Sequence, residues 1–199
     1  MAIVTERVLD MCGRYGFSFA GDEKMDKLLD IMERKYPGGY KLGEISPGDV
    51  APAIILQSNR FLPVPGRFGF PGFEKSRPLI NARSETAEEK PTFAHSFRNN
   101  RVIIPANGFY EWSHESTKTK YWFTNPGSPV IYLCGLYRMI EDLLHFVILT
   151  RAANESMLPI HDRMPVMVPE TQVGPYLADY EVATKILKAD APLLMHEPA

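Results

Sequence analysis

Apolar residues recur at helical spacing in one long segment near the start of the chain. The i, i+3, i+4, i+7 positions of a helix with one buried face are taken by four apolar residues: Met25, Leu28, Leu29 and Met32. The spacing predicts a helix over Asp22 to Tyr36, which the Pro-Gly-Gly of residues 37–39 ends.

Three shorter helices are predicted with weaker periodicity. One begins near Pro91, because proline is favoured in a first helical turn, and it buries Phe93 and Phe97. The other two are expected over Glu170–Tyr180 and Glu181–Ala189.

Strand-like runs rich in β-branched and aromatic residues fill much of the remaining chain. They are VAPAIILQ, RVIIPANGFYEW, KYWFT, PVIYLCGLY, LHFVILTR and MPVMV, separated by short segments with most of the prolines and glycines. Such runs are typical of mixed or antiparallel sheets that curve on themselves. We therefore predict a single α+β domain in which curved sheets form a barrel-like core with flanking helices.

Composition narrows the class of protein. The chain has 199 residues, of which 45% are hydrophobic and 23% charged, as in ordinary globular domains. No apolar run approaches the roughly 20 residues that span a bilayer, and residues 1–10 carry three charges where a secretory signal would be apolar. Two cysteines far apart in the sequence do not form a disulfide framework, so we expect a cytoplasmic protein without a Cys12–Cys134 bridge.

Charge is unevenly distributed around a net value of −2. Residues 60–104 hold eight Lys and Arg against four Asp and Glu, whereas residues 141–199 hold four against nine. A basic middle segment on an acidic chain suits a short polyanion, since phosphate contacts need only local positive charge. A chance clustering of solvated arginines explains the same counts equally well.

Several polar residues interrupt apolar segments, in NARSET, NGFYEW and LPIHDRMPVMV. Each has a structural explanation of its own. Asn81 could cap a turn, Glu111 could pair with an arginine on an exposed sheet face, and His161 could be a satisfied loop histidine. Cys134, inside IYLCGLY, is predicted to be a core residue, and residues 114–120 are predicted to form a solvated hairpin tip.

Four short motifs occur in order over residues 11–168: MCGR, NARSET, NGFYEW and IHDRMPV. Together they resemble the SRAP family, named for SOS-response-associated peptidases and known for crosslinking to abasic sites in single-stranded DNA. The resemblance implies that Cys12 becomes the first residue once Met11 is removed. Residues 1–10 would then be an extension absent from the mature protein, and residues 11–199 the SRAP-like domain.

The resemblance also implies a chemistry and a set of roles. An N-terminal cysteine has an α-amine with a pKa of about 7.7–8.0, which can form a Schiff base with the aldehyde of an abasic sugar. Its thiol then closes a thiazolidine ring. Glu111 would move protons, Asn81 would hold the cysteine and sugar in register, and His161 would assist ring opening.

The same resemblance implies contacts to the rest of the DNA. Arg14 and Arg83 would bind phosphate, and Trp112 would stack on a base or sugar. Phe73 stands where many relatives have a tryptophan, so the stacking surface would be altered but still aromatic. The expected partner is single-stranded DNA with an abasic site, bound in the cytoplasm at the nucleoid. No cofactor and no metal are expected, because the cysteines and the five histidines show no ligand spacing.

Two other functions remain compatible with the sequence. A cysteine autopeptidase or amidase would use Cys12 as nucleophile to remove its own leader, with Glu111 or His161 as base. A single-stranded DNA-binding module without catalysis would use only the basic and aromatic residues.

Overall fold

The computed structural model describes residues 13–18, 22–72, 77–114 and 117–199. Cys12 and Phe73 lie outside these ranges. The helices of the described chain are α1 (Glu23–Lys35), α2 (Pro91–Asn99), α3 (Glu170–Ala178) and α4 (Tyr180–Ile186). The strands are β1 (Arg14–Phe17), β2 (Gly43–Ile45), β3 (Val50–Gln57), β4 (Arg60–Phe68), β5 (Asn81–Arg83), β6 (Arg101–Ala106), β7 (Gly108–Trp112), β8 (Lys120–Thr124), β9 (Ile131–Ile140), β10 (Leu143–Ala152), β11 (Arg163–Pro165), β12 (Met167–Val168) and β13 (Met195–Pro198).

Five strands close into a barrel in the order β10, β4, β3, β6 and β9, with β9 pairing back to β10. The β10–β4 contact is parallel and the other four are antiparallel. Closure removes free edges from this part of the sheet and gives one enclosed core. Phe68 and Phe146 stack inside it with ring centroids 5.3 Å apart. The predicted α+β class and barrel-like core are confirmed.

A second, five-stranded sheet has the order β13-β8-β7-β1-β2 and is antiparallel throughout. Its inner face packs on the barrel: the edge of Tyr15 meets the ring of Phe68 with centroids 5.8 Å apart. Phe109 and Phe123, stacked at 5.1 Å, belong to the same buried cluster. Because side chains alternate along a strand, the neighbours of these inward residues point to the outer face.

The helices lie where the apolar spacing predicts them. The Asp22 side chain caps α1 by accepting hydrogen bonds from the Lys24 and Met25 N–H groups at 2.9 and 3.1 Å. Proline occupies the first turn of α2, which buries Phe93 and Phe97 as expected. None of the helices in the described ranges is long and apolar enough to cross a membrane.

Four sequence expectations change in detail. RVIIPANGFYEW is not one strand: it divides at Asn107 into β6 of the barrel and β7 of the second sheet. MPVMV likewise divides at Val166 into β11 and β12. The last two helices end earlier than predicted, at Ala178 and Ile186.

Five strands were not predicted, namely β1, β2, β4, β5 and β13. Two of them, β4 and β13, have sequences that are unusual for a strand. β4 contains Pro63 and Pro65, and proline cannot donate to a ladder. These prolines are tolerated because β10 reaches β4 only from Gly66 to Phe68, so at Pro63 and Pro65 the described chain pairs β4 with β3 alone. β13 is fully exposed and has no apolar alternation; its pairing with β8 forms it.

Candidate functional site

Asn81 and Arg83 lie on β5, a three-residue strand that pairs in parallel with β10. Asn81 is opposite Ile148, whose carbonyl accepts from the Asn81 Nδ2 at 3.5 Å. The Asn81 Oδ1 is buried and has no hydrogen-bond partner among the described residues, so it can accept a bond from an incoming group. Arg83 is exposed, where its guanidinium can reach a phosphate.

Glu111 occupies the inward side of β7, next to Phe109, and is only 4% exposed. A place on an exposed sheet face, one of the structural explanations above, is therefore wrong. One carboxylate oxygen accepts from the Trp112 N–H at 3.3 Å. A carboxylate at a buried position is a candidate general acid or base.

His161 is also 4% exposed. Its Nδ1 accepts a hydrogen bond from the Arg163 N–H at 3.0 Å, so the proton of the neutral ring must be on Nε2. Burial, and after it the neighbouring His114, lowers the pKa of His161 from its ordinary value of 6.5. At neutral pH His161 therefore presents a neutral Nε2–H donor. That atom is buried and has no hydrogen-bond partner in the ranges that the structure describes.

His114 brings the end of β7 to His161. Their ring centroids are 4.5 Å apart with an interplanar angle of 38°. Residues 114–120 were predicted to be no more than a solvated hairpin tip; they do connect β7 and β8, but His114 at the start contacts the candidate site. The histidine pair has no sequence signal, since its members are 47 positions apart.

Arg163 joins the NARSET and IHDRMPV motifs. Its guanidinium forms a two-point salt bridge with Glu85, at 2.5 and 2.8 Å, and donates to the Thr150 carbonyl at 2.8 Å. The salt bridge lowers the pKa of Glu85, which keeps the carboxylate ionised. Since the Arg163 N–H binds His161, this salt bridge holds the backbone that fixes the His161 tautomer. The two residues are 78 positions apart, so no local pattern pairs them.

Contacts join three separate segments around the candidate site: Glu85, after β5, binds Arg163, and His114, after β7, contacts His161. Arg14, two residues after Cys12, begins β1 opposite Tyr110 of β7. The chain therefore enters the fold beside the strand that carries Glu111.

The outer face of the second sheet carries Arg14, Glu44, Tyr110, Trp112 and Lys120. Arg14 and Lys120 both bind the Glu44 carboxylate, at 2.6 and 2.9 Å. Trp112 and Arg14 share this face, with the Arg14 Cζ 5.6 Å from the ring centroid of Trp112. The two residues assigned to DNA contact are thus brought together, on the side of β7 opposite Glu111.

One group of described residues has the composition of a metal site. His114, His161 and Asp162 offer ligand atoms within 4.8 Å of one another. The lone pair of His161 Nδ1 accepts the hydrogen bond from the Arg163 N–H, and the Asp162 Oδ1 is 3.1 Å from the same nitrogen.

The chain matches the family described as SOS response associated peptidase (SRAP) over residues 11–196. It belongs to the SRAP family. The resemblance inferred from the four motifs is thus confirmed.

Two SRAP relatives have been named for what they process. The chain is 34% identical over 171 residues to the abasic site processing protein YoaM of Bacillus subtilis, and 32% identical over 170 residues to the abasic site processing protein YedK of Escherichia coli. Each alignment covers 79% of this chain and 75% of the relative. A crystal structure of a Bacteroides thetaiotaomicron protein has the same fold, with a TM-score of 0.74 at 20% identity, over 94% of this chain and 91% of the other.

Proposed function

We propose that this SRAP protein recognises abasic sites in single-stranded DNA and forms a thiazolidine crosslink through Cys12. The observation that carries the proposal is the burial of two ionisable groups, Glu111 and His161, each 4% exposed, on segments that meet where His114, three residues after Glu111, contacts His161. Neither is needed to fill an apolar core. The names of the relatives YoaM and YedK support abasic DNA as the substrate class.

The proposed reaction begins with loss of Met11, because an amide nitrogen cannot form an imine. The family match begins at residue 11, which supports Cys12 as the mature first residue and residues 1–10 as an extension. The free amine attacks the aldehyde of the ring-opened sugar and releases one water to give the Schiff base. The thiol sulfur then adds to the imine carbon and its proton goes to the imine nitrogen, closing the five-membered ring.

The site residues would divide the proton transfers between them. Glu111 takes a proton from the attacking amine and returns it to the departing hydroxyl, as a general base and then a general acid. Ring opening breaks the C1′–O4′ bond while Glu111 moves the proton of the anomeric hydroxyl to the ring oxygen, and the neutral Nε2–H of His161 assists by a hydrogen bond to that oxygen. The free Oδ1 of Asn81 accepts from the amine or a sugar hydroxyl and holds the two reactants in register.

DNA contacts would come from the surface around this site. Arg83 and Arg14 bind phosphates, and Trp112 stacks on a base or sugar. Phe73 is proposed as a further stacking residue. These contacts tolerate any base sequence, as recognition of a missing base requires.

The test uses a chain begun at Met11, with its N-terminus verified by intact mass, and a single-stranded oligonucleotide with one abasic site. On a heated denaturing gel, wild-type protein is expected to give a shifted band, and Cys12→Ala and Cys12→Ser none. The serine variant keeps the amine, so borohydride should trap its Schiff base. A wild-type yield of heat-stable adduct from Cys12→Ser would refute the thiazolidine.

A second incubation distinguishes crosslinking from autopeptidase activity, the alternative that the family description favours. The chain begun at Met1 is incubated alone and then with abasic DNA. Loss of residues 1–11 without any adduct would identify a peptidase. DNA binding with neither cleavage nor adduct would identify a binding module.

A further inference from the structure

The outer face of the second sheet contains an ion triad that no catalytic role uses. The Glu44 carboxylate binds Arg14 through one oxygen at 2.6 Å and Lys120 through the other at 2.9 Å. The three residues come from β2, β1 and β8, so the triad crosses most of the sheet. Two cations share one anion, so the triad itself has an excess of one positive charge.

The two cations also cover the aromatic rings of β7. The Lys120 Nζ is 3.8 Å from the ring centroid of Tyr110 and 5.7 Å from that of Trp112. The Arg14 Cζ is 5.6 Å from the Trp112 ring. Cations therefore cover ring faces on which a base would stack. One N–H donor of Arg14 and one of Lys120, which could each bind a phosphate, are bound to Glu44 instead.

The triad is accessible to a ligand. The Arg14, Glu44 and Lys120 side chains are 45%, 33% and 25% exposed. The hydrogen bond from Lys120, and then that from Arg14, lower the pKa of Glu44 against the opposing effect of desolvation, so the carboxylate is ionised at neutral pH. Partly exposed ion pairs of this kind are weak and exchange readily with other anions.

We propose that Glu44 is an internal substitute for a DNA phosphate, which holds this surface closed until single-stranded DNA displaces it. This inference rests on the proposed function, because it takes single-stranded DNA as the ligand. When a backbone phosphate replaces the carboxylate, Arg14 and Lys120 turn from the rings towards the phosphate. The ring faces that the cations leave can then stack on the adjacent bases, while Tyr110 keeps its contact with Trp122, 4.5 Å between ring centroids. Lys120 and Tyr110 are thereby added to the DNA-binding surface.

An internal competitor has a defined effect on binding. Every strand that binds must first break two ion pairs, so the carboxylate weakens affinity for all strands alike. A displaced Glu44 also takes up a cation from solution, which offsets part of the cation release from the DNA. Removing the carboxylate should therefore tighten binding and steepen its salt dependence together.

The experiment measures binding of an undamaged fluorescent oligothymidylate by anisotropy, at several salt concentrations. Glu44→Gln is expected to bind about 3- to 10-fold more tightly than wild type, as two weak ion pairs imply. The plot of log K against log salt should steepen by about 0.7, one phosphate contact on a single strand.

Glu170→Gln is the matched control, because Glu170 also pairs with a lysine, Lys24, away from this sheet. It makes the same change in net charge. An equal gain for Glu170→Gln, or no gain for Glu44→Gln, would overturn the proposal. Lys120→Met provides a second test: the gain from Glu44→Gln should shrink in its background, and an undiminished gain would also overturn the proposal. Thermal unfolding of each variant verifies folding.

Failure of this proposal and of the proposed chemistry are distinguishable. Undamaged DNA binding needs neither an abasic sugar nor a free Cys12 amine. If the protein never crosslinks but Glu44→Gln still tightens DNA binding, the proposal for Glu44 stands and the thiazolidine proposal is refuted. If the protein crosslinks normally but Glu44→Gln and Glu170→Gln bind DNA equally, the thiazolidine proposal stands and the proposal for Glu44 is refuted.

Discussion

Arg163 and Glu85 face each other in a two-point salt bridge, with nitrogen to oxygen distances of 2.5 and 2.8 Å. The pair connects the segment after β5 to the segment that carries His161. The Arg163 side chain is only 15% exposed, so the contact is better shielded than most surface ion pairs. Its position gives it two measurable consequences, for stability and for the histidine.

Replacing Glu85 by Gln should lower stability by about 1 kcal/mol, because it leaves a largely buried guanidinium with one charged partner fewer. For a chain of this size that corresponds to a fall in Tm of roughly 2–4 °C. The difference from wild type should vanish as pH falls below the ordinary value of 4.5, through the lowered pKa of Glu85, since the wild-type carboxylate is then protonated. A difference that persists undiminished at low pH would show that charge is not its cause.

Because His161 is buried, the free energy of unfolding should decrease as the pH is lowered. Its pKa is lowered by burial, so below about pH 6.5 the unfolded chain takes up a proton that the folded chain does not. The contribution is fully present above that pH and is lost as pH falls towards the lowered pKa, with a slope of at most about 1.4 kcal/mol per pH unit.

Thermal unfolding from pH 7.5 to 5 measures this effect. His161→Gln should flatten the curve, whereas His95→Gln, at an exposed position of α2, should leave it unchanged. Equal slopes for wild type and His161→Gln would mean that His161 takes up its proton equally readily in both states.

Glu111→Gln should slow adduct formation by about 10²–10⁴-fold, the usual effect of losing a general acid or base. Glutamine keeps the size of the side chain, so non-covalent binding of abasic DNA should change little. Single-turnover crosslinking, quenched and run on a denaturing gel, gives the rate. A wild-type rate would make Glu111 a structural residue.

Arg83→Ala should weaken DNA binding at all sequences and reduce the salt slope by about 0.7, as loss of one phosphate contact on a single strand predicts. Arg60→Ala is the comparison, because Arg60 is equally exposed at the far end of β4 and the change in net charge is the same. Similar losses from both variants would indicate a general charge effect instead of a contact at Arg83.

The spacing of apolar and β-branched residues was sufficient to predict the helices and strands in which that spacing is regular. The helix around Met25 and Met32, the helix that buries Phe93 and Phe97, and the runs that become β3, β8, β9 and β10 follow from the spacing of apolar and β-branched residues. The site residues Asn81, Glu111 and His161 also stand out along the chain, as polar side chains in apolar surroundings. Four motifs in order were enough for the family, because order and composition are properties of the sequence.

The remaining features depend on which distant segments pair. β13 has no amphipathic pattern and forms only because β8 offers an edge, and the prolines of β4 are tolerated only because β10 stops at Gly66. The contacts between His114 and His161, Glu85 and Arg163, and Glu44 and its two cations join residues 30 to 78 positions apart. Each is a weak pairwise contact with no periodicity to mark it. Sequence by itself determined the elements with a strong local pattern and the chemistry available. Strand pairing in the barrel and in the second sheet, which fixes register, decided which of those groups meet.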